Sequence, residues 1–583
     1  MRAIITIFST LFWSCPQVSL AASPLFEQRL GELTRRIGQV EAKLEKTTGW
    51  LRKAGESDVE VAKMFAGYIR WELANPEYTM NALDGDRRHQ RRPFTKQDTQ
   101  QRYREHIDHE LSSSMHVLDN AEARLKQNKD WPAVRAIDWT QMKYEDGRFR
   151  AEGEVVYPAG FNMLSRKFVD VEKFPSWKEK DESLRQEFLR KMNRLGVSVI
   201  AGGINPASLI KSDGSIDDVA LKRVVDHHKR EGEFGSKVSV LMHWGGNREV
   251  LDALYPGIMD YRANGVYLDI DHPGVPELIS KTLAGLLPKM RDLDILAWDM
   301  ANEPFFDLED WSPHSLAKYQ AWLRQQHGDI GNLNHLWRAN YKSYDDIPMP
   351  RDRPLEQCNP AERYDRLTFH HKRVTDFFGL VAAEIRKHIP DAPIHIKVQD
   401  NNSLGPRPFA VEDGMDREGM NRYVTMHGLD TRPLPVTEPR MAADGYDEKL
   451  YAFHWLGQSF LYDYLGSLQP KRPIVDFEYH SMSINAIRVP RIPDGHSRAT
   501  LFLAHLHGLI GNKMWYWQRR YGPGDPFPEE YFRLWFYGSL STQPLMAAEY
   551  FHTMRELNTF APQVDALASV PARPVRILVS EAS

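Results

Sequence analysis

Cysteine is almost absent, with two in 583 residues, and one of them, Cys15, falls in a leader-like segment. Cys358 then stands alone, which excludes an internal disulfide framework. Neither a CxxC pair nor an HExxH helix occurs, so the ordinary spacings of a zinc site are missing too. The adjacent pairs His227-His228 and His370-His371 sit on predicted helices, where neighbours in sequence do not face one ligand. An excess of one charge is also lacking. Lys and Arg number 75 against 79 Asp and Glu, a net charge of -4. The short run Arg87-Arg88-His-Gln-Arg91-Arg92 reads as a solvated loop, so the phosphate-neutralising face of a nucleic-acid binder is not there. After the leader, no stretch approaches the ~20 apolar residues of a membrane span. No glycine-rich turn follows the first strand of the α/β region, which speaks against a dinucleotide site. No metal or cofactor is called for, and association into a homo-oligomer is left open.

What is present is an ordinary globular composition, 42% hydrophobic and 26% charged, on a chain too long for one core. Residues 1–22 read as a signal peptide: Met1-Arg2, an apolar run from Ala3 to Trp13, then Ser19-Leu20-Ala21-Ala22 as a small-residue cleavage site. Phe-Trp-Ser before Cys15 lacks the small residues of a lipoprotein signal, so a secreted or periplasmic protein is expected. Residues 23–130 are predicted to be an all-α domain, with helices over Leu25 to Ala54, Val59 to Asn75 and Asp98 to Gln127. It is expected to fold separately, divided from the rest by the polar stretch Lys126 to Asp130, and to serve packing or partner binding. Residues 131–154 read as a linker or small β-extension. From 155 to 565 short apolar strands alternate with amphipathic helices. The eight strand candidates are Val155 to Asn162, Val197 to Gly202, Val238 to His243, Ile295 to Asn302, Ile394 to Gln399, Tyr423 to Gly428, Ile474 to Glu478 and Lys513 to Trp517. The fold class is therefore α/β, a (β/α)8 TIM barrel preceded by an all-α N-terminal domain. Residues 566–583, with strand-like Val575 to Val579, read as the start of a further domain, apparently truncated.

Such barrels keep their chemistry at the C-terminal ends of the strands. There the sequence collects His243 and Trp244, Asn302 and Glu303, His427 and Asp430, Glu478 with Tyr479 and His480, and Trp515 with Trp517. Carboxylates that supply acid and nucleophile, polar groups that read hydroxyls and aromatic faces that stack on a pyranose make up a sugar site. Each residue also has a structural reading. Asn302 could cap a helix that begins at Pro304, with Glu303 in its first turn, and the two glutamates could be ion-pair carboxylates. The histidines could be satisfied rim residues. Trp515 and Trp517 share a strand face by period two, so one could stack on sugar while the other packs.

Trp298-Asp-Met-Ala-Asn302-Glu303-Pro304 and Arg472-Pro-Ile-Val-Asp-Phe-Glu478, with Tyr319 to Tyr344 between them and Gly511-Asn-Lys-Met-Trp-Tyr-Trp517 after, resemble glycoside hydrolases of clan A. Within the clan the resemblance is greatest to the family 42 β-galactosidases. It implies Glu303 as acid/base, Glu478 as nucleophile and Asn302 on the sugar 2-hydroxyl. Cleavage of β-glycosidic bonds with retention follows, the carboxyls lying about 5 to 5.5 Å apart. His243, Trp244, His427, Asp430, Tyr479, Trp515 and Trp517 are the candidate substrate-binding residues. Where related barrels carry an arginine near the end of the second strand, this chain reads Ala201-Gly-Gly-Ile-Asn-Pro206. The alternatives are a β-mannanase- or glucanase-like member of the clan and a carbohydrate-binding pseudoenzyme.

Overall fold

The computed structural model describes residues 24–77, 79–80, 95–127, 134–162, 178–261, 263–293, 295–399, 413–435, 453, 455–469, 472–482, 492–517 and 540–568. The leader, the basic run at 87–92 and the strand-like 575–579 lie outside them. At the N-terminus three helices, α1 (Pro24–Leu44), α2 (Gly49–Ala74) and α3 (Lys96–Gln127), pack pairwise. In α1 the buried residues Phe26, Leu30, Leu33, Ile37, Val40 and Leu44 recur every three or four positions, the stripe that drives it onto its neighbours. The first helix was expected to run to Ala54. It breaks instead at Thr47-Thr48-Gly49, where β-branched residues meet a glycine at φ +63°.

A three-stranded antiparallel sheet follows, β1 (Lys143–Glu145), β2 (Arg148–Ala151) and β3 (Glu154–Val155). Both turns, Asp146-Gly147 and Glu152-Gly153, carry two successive positive φ values, the type I′ hairpin geometry. The sheet falls where the sequence reads as a linker or small β-extension, and it takes in Val155. Phe149 and Met142 of this region share a core with Val199, Ala297, Val475 and Ile510 of the barrel, and the Tyr144 hydroxyl donates to Thr425 O at 2.9 Å. The sheet thus covers the end of the barrel where the strands begin.

The barrel is closed and parallel: β4 (Ala159–Phe161), β5 (Val199–Ile204), β6 (Lys237–Met242), β7 (Ile295–Asn302), β8 (Ile394–Gln399), β9 (His427–Asp430), β10 (Ile474–Tyr479) and β11 (Leu509–Met514). Two strands sit about four residues from where they were expected. The apolar Tyr423-Val-Thr-Met426 looks like a strand, but pairing with Lys397 to Gln399 falls on Gly428 to Asp430. In the last strand Gly511 and Asn512 disguise a fully buried run; a Cβ at Gly511 would press on Pro158 Cγ at 3.0 Å.

The helical bundle has a core of its own, including Leu33, Val40, Ile69, Ile107 and Leu118. One side of it is also part of the barrel's core: Val61, Met64, Phe65, Tyr68 and Val117 join Phe161, Trp517 and Phe551. Polar contacts rim that seam, among them His552 Nε2 to Asp58 Oδ1 at 2.7 Å and His109 Nε2 to Gln543 Oε1 at 3.1 Å.

Candidate active site

Two irregular strands build the site. In β7, Trp298 and Met300 point outward into the helical layer while Asp299 points into the barrel and its Oδ1 accepts from Lys397 N at 3.0 Å. The pairing with β8 then slips between Asp299 and Asn302, and Glu303 follows at φ +44°. A non-glycine residue held in this region costs roughly 1–3 kcal/mol, and such residues gather at functional sites. Glu303 N donates to Lys397 O at 2.9 Å. In β10 the register slips between Asp476 and Tyr479. Slips of this kind re-aim side chains beside active sites. Here Asp476 accepts from Tyr462 OH at 3.1 Å in the surrounding helix Trp455–Leu468, whereas Glu478 turns inward to the Lys397 ammonium.

Lys397 therefore touches both candidate catalytic strands, by its backbone to Asp299 and Glu303 and by its side chain to Glu478. Across the mouth, at the end of β9, Asp430 Oδ1 lies 3.1 Å from His480 Nε2 and its Oδ2 3.4 Å from Arg432. The same His480 nitrogen is 3.4 Å from Glu478 Oε1. Glu303 hydrogen-bonds Asp430, so a single carboxylate stands between the two glutamates. Trp515 covers His480 with ring centroids 5.3 Å apart.

Burial, with the Asp430 hydrogen bond and the charges of Asp430 and Glu478, raises the Glu303 carboxyl to about 9 against a partial offset from Lys397. Burial alone would push Asp430 up, but His480, the Glu303 proton and Arg432 hold it well below the carboxylate range. For His480 burial is outweighed by Asp430 and Glu478, which raise it to about 9. Beneath the mouth burial lifts Asp299 to about 7 against Lys397 and Lys513, and burial with the like charge of Lys397 lowers Lys513 to about 7. Glu303 thus keeps its proton at neutral pH, beside Glu478 paired with the Lys397 ammonium.

Of the predicted site residues, Glu303, Glu478 and Asp430 meet here. Asn302 ends β7 half-buried, His243 follows β6 at the rim with burial and Lys397 lowering its pKa, and Trp515 is half-buried. Four others do not belong to the site. His427 is the first residue of β9, at the far end of the barrel, among Ile396, Met420, Val424 and Leu465. Trp244 is fully buried, donates to Met300 O at 2.8 Å and packs on Phe377. Tyr479 faces outward and accepts from Gln458 Nε2 at 3.0 Å. Trp517 lies in the seam with the helical bundle, its Nε1 donating to Tyr68 OH at 3.4 Å. Trp244 and Tyr479 leave the barrel on the side away from its interior, His427 begins its strand rather than ending it, and Trp517 lies past the end of the β11 ladder.

Lys397 is a member the sequence reading misses, and His480, collected at its strand end, is not among the substrate-binding candidates. Ile394-His-Ile-Lys-Val-Gln399 alternates apolar and polar side chains, so its polar face had to turn into the barrel, and that pattern could have found Lys397. By spacing alone Asp430, Glu478 and His480 could hold a cation, as could the buried Glu72, His106 and Glu110 of the bundle. In the mouth Lys397 and Arg432 already supply positive charge.

The family model described as β-galactosidase, glycoside hydrolase family 42, matches residues 288–521, from just before β7 to just after β11. A family 42 exo-carrageenase from Bacteroides ovatus is similar in structure at TM-score 0.72 and 20% identity, over 93% of this chain and 70% of that one. A β-galactosidase from the psychrophilic Marinomonas ef1 superposes at TM-score 0.52 and 16% identity, over 71% of this chain and 62% of its own. One from the haloarchaeon Halorubrum lacusprofundi does so at 0.50 and 15%, over 68% and 57%. At these identities the structural likeness is one of fold. Together with the family match, it makes the chain a glycoside hydrolase with a clan A barrel like those of family 42.

Proposed function

We propose that this glycoside hydrolase is an exported enzyme that cleaves β-galactoside or carrageenan-type chains with retention, Glu478 acting as nucleophile and Glu303 as acid/base. The observation that carries the reading is that Glu303, hydrogen-bonded to Asp430, and Glu478, paired with Lys397, are held in one cluster at the barrel mouth. In the first step Glu478 attacks C1 and the bond to the departing oxygen breaks as Glu303 gives that oxygen its proton. The resulting ester removes the negative charge of Glu478, which had helped to hold the proton on Glu303. Its pKa falls, and the carboxylate left behind takes a proton from water as the water attacks C1 from the leaving-group side. Glu478 is released and the product is the β-anomer.

The galactoside side of the proposal is supported by the family match, and the carrageenan side by the likeness to the exo-carrageenase, which extends over the helical bundle as well as the barrel. The leader composition supports export. The test is incubation with aryl β-glycosides, β-galacto-oligosaccharides, carrageenans, mannan and β-glucan, with products sized by chromatography. Small products from a β-galactoside or a carrageenan are expected. Release from mannan or glucan alone would move the substrate class, and sugar binding with no hydrolysis of any of them would make the protein a pseudoenzyme.

A further inference from the structure

Two large aromatic side chains are partly in solvent at the rims of β6 and β7, Tyr267 at 41% and Phe305 at 39% exposure. One small structure carries both. Asn264 and Phe305 form an antiparallel bridge, N–H to O at 3.1 and 3.2 Å, and Asn264 Nδ2 donates to the backbone oxygen of Glu303 at 2.8 Å. Gly265, at φ +73°, lies so close to β7 that a Cβ there would collide with the Asn302 carbonyl oxygen. Two residues further on, Tyr267 N donates to Trp244 O at 2.6 Å. Its ring lies over Gly245, where a Cβ would be 3.2 Å from Tyr267 Cδ2. Residues 263–267 therefore tie the end of β6 to the end of β7 and leave one exposed ring at each, on backbone that hydrogen bonds hold in place.

Exposed aromatics on a fixed backbone keep apolar faces in water at a cost that a flat apolar ligand face would remove. The proton on Glu303 must reach the glycosidic oxygen, so the departing sugar lies on the Glu303 side of the cleft. Phe305 is two residues beyond that acid, and Asn264 holds the acid's own backbone.

We propose that Tyr267 and Phe305 form the leaving-group subsite, a shelf for the apolar C–H face of the pyranose that departs when the bond is cut. The proposal rests on Glu303 being the acid. It makes the preferred substrate one with a sugar on both sides of the scissile bond.

The kinetic test compares β-galactosyl fluoride, whose leaving group has no ring, with β-1,4-galactobiose, which shares the same glycon. In Tyr267→Ala/Phe305→Ala the kcat/KM ratio of disaccharide to fluoride should fall roughly 10-fold or more, the scale of lost aromatic contact. Phe305→Trp should keep the ratio of the native enzyme. An unchanged ratio, whether both rates persist or both fall together, overturns the shelf. A second readout does not depend on turnover. Calorimetric titration of galactobiose into Glu303→Gln should give a Kd weakened about as much by removal of the two rings. A Kd indifferent to the rings overturns the shelf while the hydrolytic reading stands. A ring-dependent Kd in a protein that hydrolyses neither of these substrates nor a carrageenan keeps the shelf and removes that reading.

Discussion

Glu303 gives the molecule a pH dependence of its own. Its carboxyl, raised to about 9 by burial, Asp430 and Glu478, keeps its proton far above the ordinary 4.5. The acid must be protonated to act, so the basic limb of kcat/KM should report it and lie well above the range of an ordinary glutamate. The same shift affects folding. Between 4.5 and 9 the folded chain binds a proton that the unfolded chain has released, so this group's contribution is complete below about pH 4.5 and is lost as pH rises through about 9. Glu303→Gln still donates to Asp430 but never needs to ionise. It should melt above the native protein near pH 8 and lose that advantage near pH 5, as scanning calorimetry would show. Equal melting at both values would mean an ordinary carboxyl. Lys397 is the complementary case. Lys397→Met leaves buried Glu478 only His480, at 3.4 Å, as a positive partner, which should cost up to about 3–5 kcal/mol in denaturant unfolding and most of kcat; a native midpoint would show the lysine to be dispensable. These two residues were not equally legible. Asn302-Glu303-Pro304 at the end of an apolar run shows itself in one dimension, while alternation turns Lys397 inward and its pairing with Glu478 exists only once β8 and β9 stand between β7 and β10.

At the scale of elements, the strand pattern located the barrel, and its departures from ideal pairing made the site. Period-two reasoning places Trp515 and Trp517 on one face, yet Trp515 covers His480 in the mouth and Trp517 is 5.4 Å from Phe161 in the seam. The ladder with β10 and β4 ends at Met514, so alternation no longer binds the residues after it. The slips in β7 and β10 are likewise invisible in sequence, because they depend on the partner strand. The two tryptophans should therefore part company on substitution. Trp517→Ala should lower stability by about 3–5 kcal/mol with KM kept, and Trp515→Ala should raise KM with the melting temperature kept. The reverse pattern, from the same pair of unfolding and kinetic measurements, would exchange their roles.

For the whole molecule, the helical bundle was legible as helices from its apolar stripe, but its attachment was not. Nothing in the spacing of Val61, Met64, Phe65 and Tyr68 says that they face Trp517 and Phe551 nearly five hundred residues away. A core shared in this way gives a single cooperative transition for bundle and barrel. Removal of residues 24–127 should leave an aggregating barrel or one with a much lower melting temperature; a soluble barrel that melts as the intact protein does would show the bundle to be an appendage. The account as a whole stands on the division of labour between two glutamates, and azide rescue tests it most directly. Glu303→Ala should still form the glycosyl-enzyme from an activated aryl β-galactoside, because that leaving group needs no proton. Added azide should then enter where Glu303 stood and restore turnover, with proton NMR showing a β-glycosyl azide. An α-glycosyl azide would mean that Glu303 is the nucleophile, and no rescue together with unchanged activity would mean that neither role is its own.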